Sequence, residues 1–418
     1  MRNRTTAATR ELKDAIIALF GKPQKSAVES LGKFSEAEWQ SALWWLDISG
    51  MAIYSLDTAC QLQMAERLIP QSIAESLKQR LERNRIRIDA LHNEARTLAA
   101  WFGDGGIHYA LLKGMTLMPE SVPDCALRCQ TDLDFLIPRR SAYHAIHYIR
   151  RLGYRFHAKS GDMLEFRAGR AGQPDLANMY SVHTQRALEL RLIDDGPGES
   201  NLLRRRVTRM FQGATIETLS SADILVQQAL HLLKHLCGEH TRLSWVLEFH
   251  RHVQARSDYP GFWSAAQSIA SKEWNGDLAM GVALWVAEEM FGKTNLWIPR
   301  QWRPEALPAR VRLWLERYAR ELFMSDAIGS KLYGLLRSEV PCRPEDTRKR
   351  TISKLIFPLC LPARVMDPKP HERLVERLRR YAVELDYFFR RLNFHIVEGI
   401  RFGVEALRWK WDALRCRQ

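Results

Sequence analysis

The chain has 418 residues, 46% hydrophobic and 26% charged, which is ordinary globular composition for one to three domains with a sizeable core. Its 62 Lys and Arg against 48 Asp and Glu leave +14, a balance that suits polyanions such as nucleotide phosphates, nucleic acid or an anionic membrane face, and equally a solvated basic protein. The seven scattered cysteines give no disulfide framework and no zinc pattern, and neither a signal-type apolar run nor a spanning segment of about 18 apolar residues occurs. A cytoplasmic location is expected, with peripheral contact at the inner membrane face left open.

Residues 1–102 read as helical. Leu12, Ile16 and Phe20 recur at helical spacing, Leu43–Leu62 is apolar-rich, and Glu75–Phe102 forms a long amphipathic stretch. Arg80, Arg83, Arg85 and Arg87 are expected on its solvated face. The period changes at Gly103–Gly106. Ile107–Leu112 then reads as a buried strand entering a tight turn at Lys113–Gly114, with a short helix through Met115–Glu120. A second strand, Leu133–Ile137, stops at Pro138, and Ser141 is placed as the N-cap of a helix to Leu152. Strand-like pieces follow at Tyr154–His157, Met163–Arg167, Met179–His183 and Leu188–Ile193, the last alternating strictly.

From Ser220 the pattern is helical again, opening on a capping-box-like Ser220-x-x-Asp223. Phe357–Pro370 is the linker candidate near the end. His371–Gln418 interleaves Arg with Tyr381, Tyr387, Phe388, Phe389, Phe394, Phe402, Trp409 and Trp411. Helices packed on the core, an interfacial membrane surface and a nucleic-acid groove all remain open for that segment. The expected architecture is α+β: a small mixed β-sheet flanked by large helical regions, divided at 1–102, 103–200, 201–300 and 301–418.

Chemistry concentrates in Thr131–Ile137. On a strand, residues two apart share a side, so Asp132 and Asp134 project together while Leu133, Phe135 and Ile137 face the core. Two such carboxylates repel unless a divalent cation lies between them. The upstream strand ending at Lys113–Gly114 can bring backbone N–H groups and a positive charge to a triphosphate, with Thr116 offering a hydroxyl. A third carboxylate is wanted on a neighbouring strand. Glu189 is the first choice and Glu165 the rival. His231 and His235, four apart on one helix face, lack the Glu of a metalloprotease motif and read as core or supporting residues.

Taken together, Leu112–Lys113–Gly114, the run Arg128 to Ile137 and Gly153–Tyr154 resemble the polymerase-β-like nucleotidyltransferases. More narrowly, they resemble an uncharacterised bacterial nucleotidyltransferase family with an L-K-G … R-x-x-D-[IL]-D pattern. Arg128 stands one residue further from the first Asp than in that pattern, and Met115 follows the glycine where Gly or Ser is usual. Arg191 occupies a position where His is common, and Glu248 one where Asp is.

The resemblance covers roughly Ile107 to Val253. It implies an NTP donor, two Mg2+ ions on Asp132 and Asp134, and Glu189 activating an acceptor hydroxyl. Lys113, Gly114, Thr116 and Arg128 are then nucleotide-binding candidates, with His183, Arg191, His231 and His235 as supporting ones. The acceptor, whether small molecule, saccharide, protein or RNA, is not implied. Nucleotidyl transfer onto tRNA or another RNA, and a non-catalytic relative acting as a binding or membrane-associated partner, stay open beside it.

Overall fold

The structure, a computed structural model, describes residues 7–21, 25–169, 179–180, 186–194, 202–293, 298–327, 329–341 and 372–415. The expected linker Phe357–Pro370 lies outside them, as does His183. Met179 and Tyr180 form a turn, and the rest of the strand expected there is likewise outside the described residues.

The alternating segments assemble into one mixed sheet of seven strands: β1 (Ala110–Leu112), β2 (Asp132–Pro138), β3 (Arg155–Ser160), β4 (Met163–Ala168), β5 (Arg186–Ile193), β6 (Val207–Phe211) and β7 (Ala214–Thr218). Their spatial order is β3-β4-β5-β2-β1-β7-β6. The central strand β2 runs antiparallel to β1 and parallel to β5. The sheet therefore continues past residue 200, ahead of the helical pattern that opens at Ser220. The β6–β7 hairpin turns on Gln212 and Gly213, both at positive φ (+45° and +77°), the backbone of a two-residue primed turn that matches strand twist.

The first helices are α1 (Ala7–Ala18), α2 (Lys25–Leu31), α3 (Glu36–Ser49), α4 (Ala52–Gln61) and α5 (Ala65–Leu68). The apolar run Leu43–Leu62 is split by Gly50, at φ +75°, into α3 and α4. The long amphipathic stretch is a single helix, α6 (Gln71–Asp104), of 34 residues. Its first half contributes Ile73 and Leu77 to a helical core, and its second half lays Ile88, Leu91, Leu98 and Phe102 on the sheet.

The four arginines of α6 do not share one solvated face. Arg83 and Arg85 are exposed. Arg80 makes a bidentate pair with Asp47 at 2.9 and 3.0 Å, and Arg87 is buried, donating to the Met179 carbonyl and the Asn84 side chain. The reason is that α6 is covered on more sides than one amphipathic stripe implies.

The opposite sheet face is partly roofed by α8 (Ser221–Leu236), after α7 (Ala142–Arg151) has packed Ala145 and Ile149 on the α6 side. Ser141 holds the N-cap position of α7, but it also closes a 3-10 turn and its side chain makes no capping bond. Ser220 makes one, its oxygen accepting from the Asp223 amide at 3.1 Å. A large helical core then gathers α9 (Leu243–Ala255), α10 (Pro260–Ala270), α11 (Gly276–Phe291), α12 (Ala309–Trp314), α13 (Arg320–Met324) and α14 (Tyr333–Glu339) around α3 and α4. The last helix, α15, runs unbroken from Leu374 to Arg415. Among the described residues no helix is long and apolar enough to cross a membrane.

Candidate active site

Register decides what meets at the centre of the sheet. Leu112 on β1 lies opposite Asp134 on β2, Asp134 opposite Glu189 on β5, and Glu189 opposite Glu165 on β4. Alternation turns Leu133, Phe135 and Ile137 into the α6-side core, together with Leu188 and Leu190. Asp132, Asp134 and Glu189 are thus left on the α8 side. One carboxylate oxygen of each lies within 4.8 Å of the others. Glu165 does not join them, because its carboxylate accepts from Arg167 Nε at 2.7 Å.

Three acids at this distance disturb one another. Burial pushes Asp134, 3% exposed, up to about 6; Lys113 opposes that rise and Glu189 adds to it. Burial and Asp134 raise Asp132 as well. Among the described residues Asp134 Oδ2 is buried and without a hydrogen-bond partner.

The turn after β1 supplies a cation. Lys113 Nζ donates to Asp134 Oδ1 at 2.7 Å and stands 3.8 Å from Glu189 Oε2. Burial pulls the ammonium down, but Asp134, Asp132 and Glu189 outweigh it and hold it above its ordinary value. Lys113 achieves this from a strained backbone, φ +53° and ψ −163°, a region costing a non-glycine residue about 1–3 kcal/mol. Gly114 follows at φ +52°, and a Cβ there would lie 2.2 Å from the Gln130 side chain. The glycine is required by its backbone and by Gln130, whose Nε2 donates to the Asp132 carbonyl at 2.6 Å. Thr116 is buried, its amide and hydroxyl both donating to the Lys113 carbonyl, at 3.0 and 2.9 Å, which locks the turn.

These residues open on a cleft of about 820 Å³ between the sheet and α8–α9, lined by Lys113, Thr116, Arg128, Asp132, Glu189, Arg191, His231 and His235 among others. Arg128 donates to Glu248 Oε2 at 3.2 Å, while the Tyr54 hydroxyl donates to Glu248 Oε1 at 3.1 Å. Burial lowers the Arg128 guanidinium, but Glu248 reverses that and holds it above its ordinary value. His231 and His235 lie ring to ring at 4.4 Å and flank Trp245 at 4.7 and 4.5 Å. Burial first, then His235, Lys113 and Arg128, push His231 down to about 2, so its ring is neutral.

Sequence reasoning missed Gln130, Tyr54 and the buried polar knot at His252. The imidazole of His252 meets Ser221 Oγ at 2.9 Å and Gln228 Oε1 at 3.0 Å. Gln130 was readable, two residues before Asp132 on the same run. Tyr54, 194 residues from Glu248, carried no local signal.

A mixed sheet with three converging carboxylates, embedded in helices, is the architecture expected of a nucleotidyltransferase. A family model described as uncharacterised nucleotidyltransferase matches residues 35–292. The chain belongs to that family. A solved antigenic nucleotidyltransferase-like protein from Paracoccidioides brasiliensis is similar at 14% identity and a TM-score of 0.28, covering 46% of this chain and 91% of that one, an overlap too weak to bear on the site. No curated protein matches the chain.

Proposed function

We propose that the cleft transfers a nucleotidyl group from a nucleoside triphosphate to an acceptor hydroxyl with the help of Mg2+. The observation that carries this is the convergence of Asp132, Asp134 and Glu189 within 4.8 Å at the cleft floor. The donor set suits a hard divalent cation: it is all carboxylate oxygen, and among the described residues the buried Asp134 Oδ2 has no other partner. Asp132 and Asp134 would hold the metal, two ions being the usual complement, and it would neutralise charge gathering on the α-phosphate.

The chain's own groups do the rest. Lys113 offsets the burial of Asp134 and helps hold it ionised. The Lys113–Gly114 turn and Arg128 border the space for the triphosphate, and the His231–His235–Trp245 rings offer a stacking wall for a base. Glu189 would accept the acceptor's hydroxyl proton. The new bond joins that oxygen to the α-phosphorus, the bond to the β-phosphate oxygen breaks, and pyrophosphate leaves with the electron pair.

A second reading, a binding protein without turnover, is favoured by Lys113, whose ammonium already neutralises Asp134. Titrating the four NTPs into the wild type and into Asp132→Asn/Asp134→Asn, with and without Mg2+, separates the two when pyrophosphate release is followed in parallel. Metal-dependent binding that the double variant loses, with pyrophosphate released once acceptor is supplied, supports transfer. A folded wild type that binds no NTP in Mg2+ rejects it in favour of the second reading.

A further inference from the structure

Five cationic side chains line the cleft: Lys113, Arg128, Arg191, Lys234 and Lys272. Lys113 is engaged by Asp134 and Glu189, and Arg128 by Glu248. Lys272 also has an interaction of its own. Arg191 and Lys234 differ: among the described residues neither makes a hydrogen bond or an ion pair.

Arg191 lies two residues beyond Glu189 on β5, so both side chains leave the same face of the sheet. Its cross-strand neighbours are Leu136 on β2 and Met163 on β4, and neither offers a charge. A half-buried guanidinium beside Glu189 that pairs with no carboxylate among the described residues is open to an anion. Lys234 reaches the same cleft from α8, three residues beyond His231.

Position separates Arg191 from the donor's phosphates. The Lys113–Gly114 turn ends β1, whereas Arg191 stands two strands away on β5, roughly 10 Å across the sheet. The carboxylates on β2 lie between them. Arg191 is therefore on the side of Glu189, the group assigned to the acceptor's proton. Two cations without a partner among the described residues, one a planar fork and one a point charge, match a phosphate monoester, which carries about −1.5 to −2 at neutral pH.

We infer that the hydroxyl acceptor is a phosphorylated molecule whose phosphate is held by Arg191 and Lys234; this rests on the nucleotidyl-transfer reading above. The test saturates the protein with Mg2+ and a non-hydrolysable α,β-methylene NTP, the best-binding of the four bases, and then titrates inorganic phosphate by calorimetry. The wild type should bind phosphate with the analogue in place. Arg191→Gln and Lys234→Gln should each weaken phosphate by roughly tenfold and weaken the analogue far less, and Arg191→Lys should recover part of the phosphate loss.

Three results would overturn the inference: no phosphate binding by the wild type, exclusion of phosphate by the analogue, or equal loss of analogue and phosphate in Arg191→Gln. The last two would assign the cations to the donor triphosphate. Failure of the analogue itself to bind would sink the transfer reading, and the acceptor assignment with it. Phosphate titrated alone would then still report whether the two cations form an anion site.

Discussion

Arg128 and Glu248 form a buried ion pair whose loss should be felt in stability. Glu248 is 2% exposed, and among the described residues Arg128 and the Tyr54 hydroxyl satisfy it. Arg128→Ala strands that carboxylate, and removing one partner of a buried pair costs about 3–5 kcal/mol. Urea unfolding should show a loss of that order, and adding Glu248→Gln should return a good part of it. A single-variant loss below about 1 kcal/mol would mean the pair is well solvated.

His252 makes a prediction of its own at the same scale. Burial holds its folded pKa near 4 against an ordinary 6.5. Between those values the unfolded chain binds more protons, so the stability this group contributes is complete above pH 6.5 and lost as pH falls toward 4. At pH 5 the loss is about 2 kcal/mol relative to pH 7. His92 and His250 are depressed to about 4 in the same direction. The informative measurement is therefore a difference: the pH 7 to pH 5 change in unfolding free energy, wild type minus His252→Gln. A difference near zero would show that the ring is already solvated in the folded state.

Among the elements, what could be read from the sequence tracks how locally each was specified. The strand β5 was legible because Leu188, Leu190 and Leu192 alternate with Glu189 and Arg191, and β2 because Asp132 and Asp134 alternate with Leu133 and Phe135, which writes one buried and one polar face into the chain. The convergence of Asp132, Asp134 and Glu189 followed from that alternation plus resemblance, but the register opposing Asp134 to Glu189 did not. The β6–β7 hairpin was missed although Gln212–Gly213 between two five-residue runs is a turn signal. Val207 and Met210 are exposed at 37% and 71%, so β6 shows no clean apolar face.

What holds that hairpin is Ile216, 2% exposed in the sheet core, together with the Thr218 hydroxyl on the Leu111 carbonyl at 3.2 Å. Ile216→Ala should cost about 2–4 kcal/mol by cavity formation. Amide exchange over residues 207–218 should quicken more than over β2. Uniform quickening across the sheet would show that the hairpin has no separate stability.

At the scale of the whole molecule, α15 divides into two unequal halves. Its second half is clasped onto the helical core. Phe402 and Trp409 are buried there, Glu398 accepts from Ser330 Oγ at 3.0 Å, the Tyr318 hydroxyl donates to Glu405 at 2.7 Å, and Arg317 pairs with Asp412. Along the first half Leu374, Leu378 and Leu385 are 59–70% exposed. Burial, and not apolar composition, sets what each residue contributes. Trp409→Ala should thus cost about 3–5 kcal/mol, whereas Leu385→Ala should stay within about 0.5 kcal/mol. Among the described residues none of α15 lines the cleft. If the helix serves the fold and not the site, Trp409→Ala should leave Mg2+-dependent NTP affinity intact at temperatures where the variant remains folded. A parallel fall in affinity would instead tie the clasp to the cleft through the helices between them, and a large loss from Leu385→Ala would show that its face is covered in solution.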